Sequence, residues 1–487
     1  MQPSSKILRG LAVAAVVAGY VLLAFWLVLP QTPVDDAFIS FRYARHLAVG
    51  DGLVYNPNEP PVEGYSSLAW VLILAAGARL GLGLPALSQT LGLLLGIGTL
   101  LVLVRRSLFA AAGLVICLPW LYHSVNGLET CLMAFLITVL ACLPLDTPGR
   151  RAAGLLVGAL LVLTRPEGLL AVLAWVAAVH LADRRLHRPE IRVGSAAVAV
   201  FVAQIAFRLA WYGDWLANSA RAKVLPLRIA LLPGLLDLGR FLGLGSAAGL
   251  LVLLALAGAR SCPRTVFLAL LAPVLAASGG DSFPLWRFFV PLSPVLFLAA
   301  AEGLERLLAA RPRPARTTAL ARGLAAAVLV AALSSPWSRS LPDIQRDGWW
   351  VHHWADLGRR LAARFPPDTT IALCPVGALP YYSRFRTIDM LGLNDPHIAR
   401  VKPDLSYYYP GHQRHDGPYV LSRRPDLILL ANGPVAGDPA APFPWESVRV
   451  YERDLVIDPR FRAEYGLVHI PLGGGRWLLA FARRPAT

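Results

Sequence analysis

Lysine is almost missing from this chain: there are three among 487 residues, Lys6, Lys223 and Lys402. Charge of both signs is scarce, at 16% of residues, against about a quarter in a soluble globular chain. Acids are the scarcer sign, 30 against 46 bases, which leaves a formal charge of +16. With 56% hydrophobic residues and a mean hydropathy of +0.54, that shortage excludes a soluble multidomain protein and points to an integral membrane protein. Cysteine is sparse too. Cys117, Cys131 and Cys142 fall in apolar runs, Cys262 in a basic loop and Cys374 alone in the polar C-terminal part, so neither a disulfide framework nor a cysteine metal site is available. Nor does the surplus arginine form the basic domain with a stacking platform that nucleic-acid binding needs. It sits in short clusters between apolar runs, as topology signals do.

The clusters are Lys6/Arg9, Arg105-Arg106, Arg150-Arg151, Arg184 to Arg192, Arg260/Arg264 and Arg306 to Arg316. The preference of Lys and Arg for the cytoplasmic side puts all six there. Segments 30–65, 123–130, 164–168, 211–228 and 279–287 are rich in Asp, Glu, Asn, Trp, Tyr and Gly, and become outer loops. The apolar run 7–29 is longer than a signal sequence core and reads as a retained anchor, with the N-terminus cytoplasmic. If the stretch from Tyr65 to Leu82 crossed the membrane, every later loop would invert. It is short and carries Arg79, so a juxtamembrane helix on the outer face is expected. Spanning takes about 20 apolar residues, and eleven spans follow at approximately 7–29, 85–104, 107–122, 131–145, 152–164, 168–182, 193–212, 241–259, 265–278, 288–304 and 318–335. An odd count leaves the tail outside. From Pro336 the composition changes to turns and alternating apolar segments such as Thr370–Leu373 and Asp426 to Leu430, which predicts one α/β domain. The expected division is therefore a transmembrane region, 1–335, with a long outer loop at 30–84, and a soluble domain, 336–487.

The first outer loop opens with the pair Asp35-Asp36 at a helix start. At helical spacing Asp36, Ser40 and Tyr43 share one face and Asp35, Arg42 and His46 the next, with Phe38 and Phe41 toward the membrane. One acid could simply cap the helix. Held close, however, two carboxylates raise one pKa toward the range of a general base, or hold a divalent cation, magnesium or calcium.

Several ordered segments carry a family resemblance. Asp35-Asp36 with its helix, Leu53-Val54-Tyr55-Asn56-Pro57 and Val62-Glu63-Gly64-Tyr65-Ser66-Ser67 resemble the first periplasmic loop of the GT-C glycosyltransferases. The resemblance is nearest to the branch of the mycobacterial terminal arabinofuranosyltransferase. Asn126-Gly127-Leu128-Glu129-Thr130, Thr164-Arg165-Pro166-Glu167-Gly168, Trp211 to Asn218 and on to Lys223, Gly279-Gly280-Asp281 to Arg287-Phe288, Ile388 to Asp395 and Gly411-His412 extend it over nearly the whole chain. The resemblance implies a polytopic α-helical GT-C-like protein of about eleven transmembrane helices in a bacterial inner membrane, with a C-terminal periplasmic α/β domain. It implies transfer of a sugar, arabinofuranose or another pentose being one candidate, from a polyprenyl-phosphate donor to a cell-envelope glycan or lipid acceptor, with inversion. Asp35-Asp36 takes the place of the family's catalytic acids.

Such a reaction needs a base for the acceptor hydroxyl and cations for the phosphate that departs. Asp35 or Asp36 suits the first role. Arg165, Lys223 and Arg287 suit the second, because they lie in outer loops where the charge rule disfavours bases. Arg42, Glu63, Tyr65, Glu129, Glu167, Asn218, Asp281 and His412 are candidates for holding substrate. Each has a plainer alternative: Arg165 pairs with Glu167, the glutamates pair with Arg42, Arg45 or Arg165, and His412 lies on the surface. Trp211, Tyr212, Trp215, Trp349, Trp350 and Tyr407 to Tyr409 form either a sugar-stacking wall or an interfacial belt. Two rival functions remain, a transporter or flippase of a lipid-linked sugar and a non-catalytic envelope scaffold. The first would call for mid-span charges and paired repeats, and the sequence has no evident repeat.

Overall fold

The computed structural model describes residues 3–31, 33–185, 187–243, 249, 252, 262–281, 283–309 and 340–485. Its first part is helical: α1 (Pro3–Leu23), which continues as tighter and wider turns to Gln31, α2 (Asp35–Val49), α3 (Leu68–Arg79), α4 (Leu84–Val104), α5 (Leu108–Val115), α6 (Leu118–Val125), α7 (Thr130–Cys142), α8 (Pro148–Thr164), α9 (Glu167–Asp183), α10 (Arg188–Tyr212), α11 (Asn218–Lys223), α12 (Leu227–Phe241), α13 (Pro263–Ala276) and α14 (Ser293–Ala309). Three described helices, Ile7–Gln31, α4 and α10, are long and apolar enough to cross a membrane alone. Small residues let α4 pack closely on α1 and α6: β-carbons at its Gly92 and Gly96 would overlap Ser124 O and the Tyr20 hydroxyl, where Tyr20 donates to Ser124 Oγ at 2.8 Å.

Two sequence expectations change. The span drawn at 107–122 is two helices, α5 and α6, bent by 73° where Pro119 removes a donor from the first turn of α6. The segment expected to be an outer loop ending at 228 runs directly into α12, whose interior Pro233 and charged Arg228, Asp237 and Arg240 obscure its helical period. The expected span 318–335 and most of 241–259 lie outside the described residues, as does the proposed boundary at 335. The helix α3 packs on α2, and Arg79 Nε donates to Ala48 O at 3.3 Å. Arg106 donates to Cys142 O at 2.6 Å, Arg264 pairs with Glu302 at 2.6 Å, and both arginines lie close to Cys142, so the basic turns around them share one end of the bundle.

At the other end sits the C-terminal domain. A long helix, α15 (340–362), leads into β1 (Thr370–Leu373), α16 (Ala378–Ser383), β2 (Arg386–Asp389), β3 (Leu427–Ile428), β4 (Val435–Ala436), β5 (Tyr465–Gly473) and β6 (Arg476–Arg483). The sheet order is β2-β1-β3-β6-β4, in which β3 and β4 pair different stretches of β6 and β5 pairs β6 along its whole length. β1 runs parallel to both β2 and β3, in register Ile371 with Thr387 and with Leu427, and β6 is antiparallel to its neighbours. Alternation splits the apolar residues between two cores: Ala372, Ile388, Ile428 and Phe481 on one face, and Ile371, Leu373, Leu427 and Leu478 on the other, where Leu357 and Leu361 of α15 cover them. Phe38 and Phe41 were expected to face the membrane. They are buried instead, with Tyr381 of α16 edge-on at 5.4 and 6.1 Å, because the C-terminal domain covers that side of α2.

Candidate active site

The two acids of α2 are separated by their neighbours. Val34 is the N-cap residue, and its N–H donates to Asn126 O at 3.0 Å, which fixes where α2 begins. Asp35 turns to the C-terminal domain and accepts N–H bonds from Gly377 (3.1 Å) and Ala378 (2.7 Å) at the start of α16. A β-carbon at residue 377 would overlap Asp35 O, so the turn has to be glycine there. Burial pushes the Asp35 carboxyl up to about 7 despite those two bonds, with the Asp36 charge adding to the rise. Asp36 points the other way. It lies 3.7 Å from Lys223 Nζ and 3.6 Å from one terminal nitrogen of Arg287, beyond hydrogen-bonding distance of either.

Asp36 lines a cavity of ≈ 220 Å³ together with Tyr65, Glu129, Arg165, Glu167, Lys223, Asp281 and Arg287. Five separate segments, those the charge pattern predicts to be outer, thus deliver the acids and cations expected to act together. Their donors are not equally free. Arg165 is fully engaged, with Glu129 at 2.9 Å and Glu167 at 3.1 and 3.2 Å. Arg287 places Nε and one terminal nitrogen on Asp281, at 2.5 and 3.2 Å, and leaves the nitrogen nearest Asp36 uncommitted. It also lies over the Phe283 ring at 4.5 Å. Burial pushes the Asp281 carboxyl up, but Arg287, Lys223 and Arg165 outweigh it and hold the group below its ordinary value. Among the described residues, the acidic partner of Lys223 is Asp36, at the long distance given above. The lysine is carried on α11, which Asn218 pins by donating to Gly392 O, Leu393 O and Asp395 O at 2.8 to 3.3 Å.

Other candidates lie away from this cavity. Arg42, 1% exposed, clamps the α2–α3 loop to the C-terminal domain by donating to Tyr55 O, Asn56 Oδ1, Pro380 O and Phe385 O at 2.7 to 3.0 Å. Glu63 is buried against Arg208 at 2.7 and 3.1 Å. Arg208 sits within α10 and was not among the sequence candidates; being the one base in the apolar stretch 193–212 was its only signal. Tyr65 reaches the cavity while its hydroxyl meets that of Tyr212 at 3.0 Å. Trp211, Trp215 and Trp349 are exposed.

A second cavity, ≈ 210 Å³, lies between α15 and the sheet domain. Asp36, Lys223, Leu393, Pro410 and Gly411 border both cavities, and His412 lines the second. Divalent-cation binding by the acid pair finds a poor fit here: the Asp35 carboxylate is spent on two N–H groups, and no cluster of three or more metal-ligating side chains occurs among the described residues.

Known structures share this architecture. ArnT from Cupriavidus metallidurans, bound to undecaprenyl phosphate and in the apo state, superposes with TM-scores of 0.56 and 0.57 at 15% identity, covering 98% of both chains. The archaeal oligosaccharyltransferase AglB from Archaeoglobus fulgidus, in complex with an inhibitory peptide and a dolichol-phosphate, gives a TM-score of 0.51 at 13% identity. That match covers 80% of this chain and 65% of that one. The chain therefore shares the fold of these structures, with its C-terminal domain inside the match. A domain of unknown function (DUF8728) matches residues 344–479. No curated protein matches by sequence.

Proposed function

We propose that the protein is a polyprenyl-phosphate-dependent glycosyltransferase of a bacterial inner membrane, working on the periplasmic face with Asp36 as its base. One observation carries the reading: Asp36 lies between Lys223 and Arg287 at ion-pair distance, with no closer side-chain partner among the described residues, in a fold whose solved members have been captured with undecaprenyl phosphate and with a dolichol-phosphate. The acceptor hydroxyl loses its proton to Asp36 as its oxygen bonds the anomeric carbon. The bond from that carbon to the phosphate oxygen breaks, and the electron pair leaves with polyprenyl phosphate. Lys223 and Arg287 meet the charge that grows on the phosphate, where preformed donors in a dry site act most strongly. Attack from the side opposite the phosphate inverts the anomeric centre. Arg165 holds the cavity wall through Glu129 and Glu167. The acceptor is a cell-envelope glycan or lipid, and a pentofuranose is the donor sugar to try first.

The test is incubation of the detergent-purified chain with a panel of polyprenyl-phosphate sugars, scored by release of free polyprenyl phosphate in the presence of an envelope extract. Release from at least one donor is expected. Folded protein that releases none from any donor would overturn the reading.

A further inference from the structure

We infer that the second cavity seats the acceptor, and that the acceptor presents a neutral sugar ring there, stacked on Trp350 with its hydroxyls held by Asp347 and His412. The inference rests on the glycosyl-transfer reading and goes beyond it, because it makes the reacting end of the acceptor carbohydrate and gives the domain at 344–479 the task of binding it.

The α15 wall is built for the purpose. Asp347, Trp350, Val351 and Trp354 line the cavity at the spacing i, i+3, i+4, i+7, one face of a helix. Its other sides are pinned. His352 Nε2 donates to Pro30 O at 3.0 Å, and Gly348 packs against Gln31, where a β-carbon would overlap the glutamine. His353 Nε2 donates to Gly433 O at 3.0 Å and Trp354 Nε1 to Asn432 O at 3.1 Å. Trp350 stacks on Trp354 with ring centres 5.6 Å apart and planes 26° from parallel. An aromatic face is thus fixed before any ligand arrives, which lowers the entropy cost of binding. The Asp347 carboxylate lies beside it with no hydrogen bond or ion pair among the described residues.

The opposite wall is as firmly set. His412 lies between Tyr409 at 4.1 Å and Tyr451 at 5.3 Å, and its Nδ1–H donates to Pro410 O at 3.0 Å. That bond fixes the tautomer and leaves Nε2 as a hydrogen-bond acceptor. Burial lowers the imidazole to about 4, so it is neutral at physiological pH. The floor comes from residues just beyond the carboxyl ends of the parallel strands: Cys374 to Val376 after β1, Leu391 and Leu393 after β2, and Asn432 after β3. Open α/β sheets bind ligands at that edge.

Charge selects the ligand class. Among the described residues, Lys223, shared with the first cavity, is the one lysine or arginine bordering the second, against Asp35, Asp36 and Asp347. An anionic headgroup is repelled by that balance, whereas a neutral polyol finds acceptors for its hydroxyls and an aromatic face for its C–H surface. Because Asp36 borders both cavities, a hydroxyl of that ring is delivered to the base.

The test is saturation-transfer NMR on the detergent-purified full chain, with neutral methyl pentofuranosides and hexopyranosides as probes and a methyl uronate and glycerol 3-phosphate as anionic comparators. At least one neutral glycoside should bind. Its affinity should fall about fivefold in Trp350→Ala and about tenfold in Asp347→Asn, and largely survive in Trp350→Phe, with melting temperatures matched to wild type as the check on folding. The inference is overturned if no glycoside binds, if the anionic probes bind better, or if folded Trp350→Ala and Asp347→Asn bind like wild type. Glycoside binding with the expected dependence, but no release of polyprenyl phosphate from any donor, defeats the transfer reading and leaves the sugar site standing. Release that is insensitive to both substitutions defeats the acceptor assignment alone.

Discussion

Replacing Asp35 with asparagine separates the two neighbouring acids and tests their assignments by stability. The Asp35 carboxylate accepts two N–H bonds from the start of α16, yet burial still pushes its pKa up to about 7 from an ordinary 3.8. The folded protein therefore binds this proton more tightly than the unfolded chain does. Stability from the group is fully present below pH about 4 and is lost as pH rises to about 7. The difference corresponds to at most ~4 kcal/mol; the carboxylate keeps an edge on the second cavity, which reduces it. Asparagine cannot ionise, and its carbonyl still accepts one of the two N–H bonds. Melting of purified protein, followed by tryptophan fluorescence from pH 4 to 8, should show wild type losing stability across that range relative to Asp35→Asn, which melts at or above wild type at pH 8. Asp35→Ala leaves two N–H groups without an acceptor and should cost about 1–3 kcal/mol for each that water cannot reach. Melting curves that run parallel from pH 4 to 8, or an Asp35→Asn protein much less stable than wild type at pH 8, would refute this reasoning.

Four further outcomes follow from particular contacts. Lys223→Met should weaken binding of polyprenyl phosphate about tenfold with little change in melting temperature, measured by thermal shift against added lipid; unchanged binding contradicts its role. Glu63→Gln strands a buried guanidinium and should cost about 3–5 kcal/mol, much of it regained in Glu63→Gln/Arg208→Met, where no buried charge remains; equal melting of the single and double variants argues against the pair. Gly377→Ala forces a β-carbon onto Asp35 O and should lower both stability and turnover, and wild-type behaviour would mean that the α2–α16 contact is looser than described. Chelation with EDTA should leave turnover unchanged, because Lys223 and Arg287 flank Asp36 where a metal would otherwise be needed.

How far the sequence foretold this arrangement depended on the range of each contact. Lys223 and Arg287 stood out because bases are disfavoured in segments predicted to be outer, and both are found beside Asp36. The strands at 370–373 and 427–428 followed from local alternation. What stayed hidden was set by distant partners. Asp35 and Asp36 are chemically identical in the sequence, and a glycine 342 positions away draws one of them out of the cavity. Glu63 could have paired with several arginines; its partner, Arg208, lies 145 positions on in an apolar helix. Phe38 and Phe41 looked membrane-facing because the tyrosines that cover them belong to another domain. Asp347 carried no signal at all until α15 put it on one face with Trp350 and Trp354.

The central claim, that Asp36 is the base of a polyprenyl-phosphate-dependent transfer, is met most directly by one comparison. Release of polyprenyl phosphate is timed for wild type, Asp36→Asn and Asp35→Asn with the same donor and acceptor, each protein checked for an unchanged fold by melting. Loss of a positioned base should slow Asp36→Asn by about 10²–10⁴-fold, while Asp35→Asn stays within about tenfold of wild type. A folded Asp36→Asn protein that turns over at the wild-type rate would contradict the account.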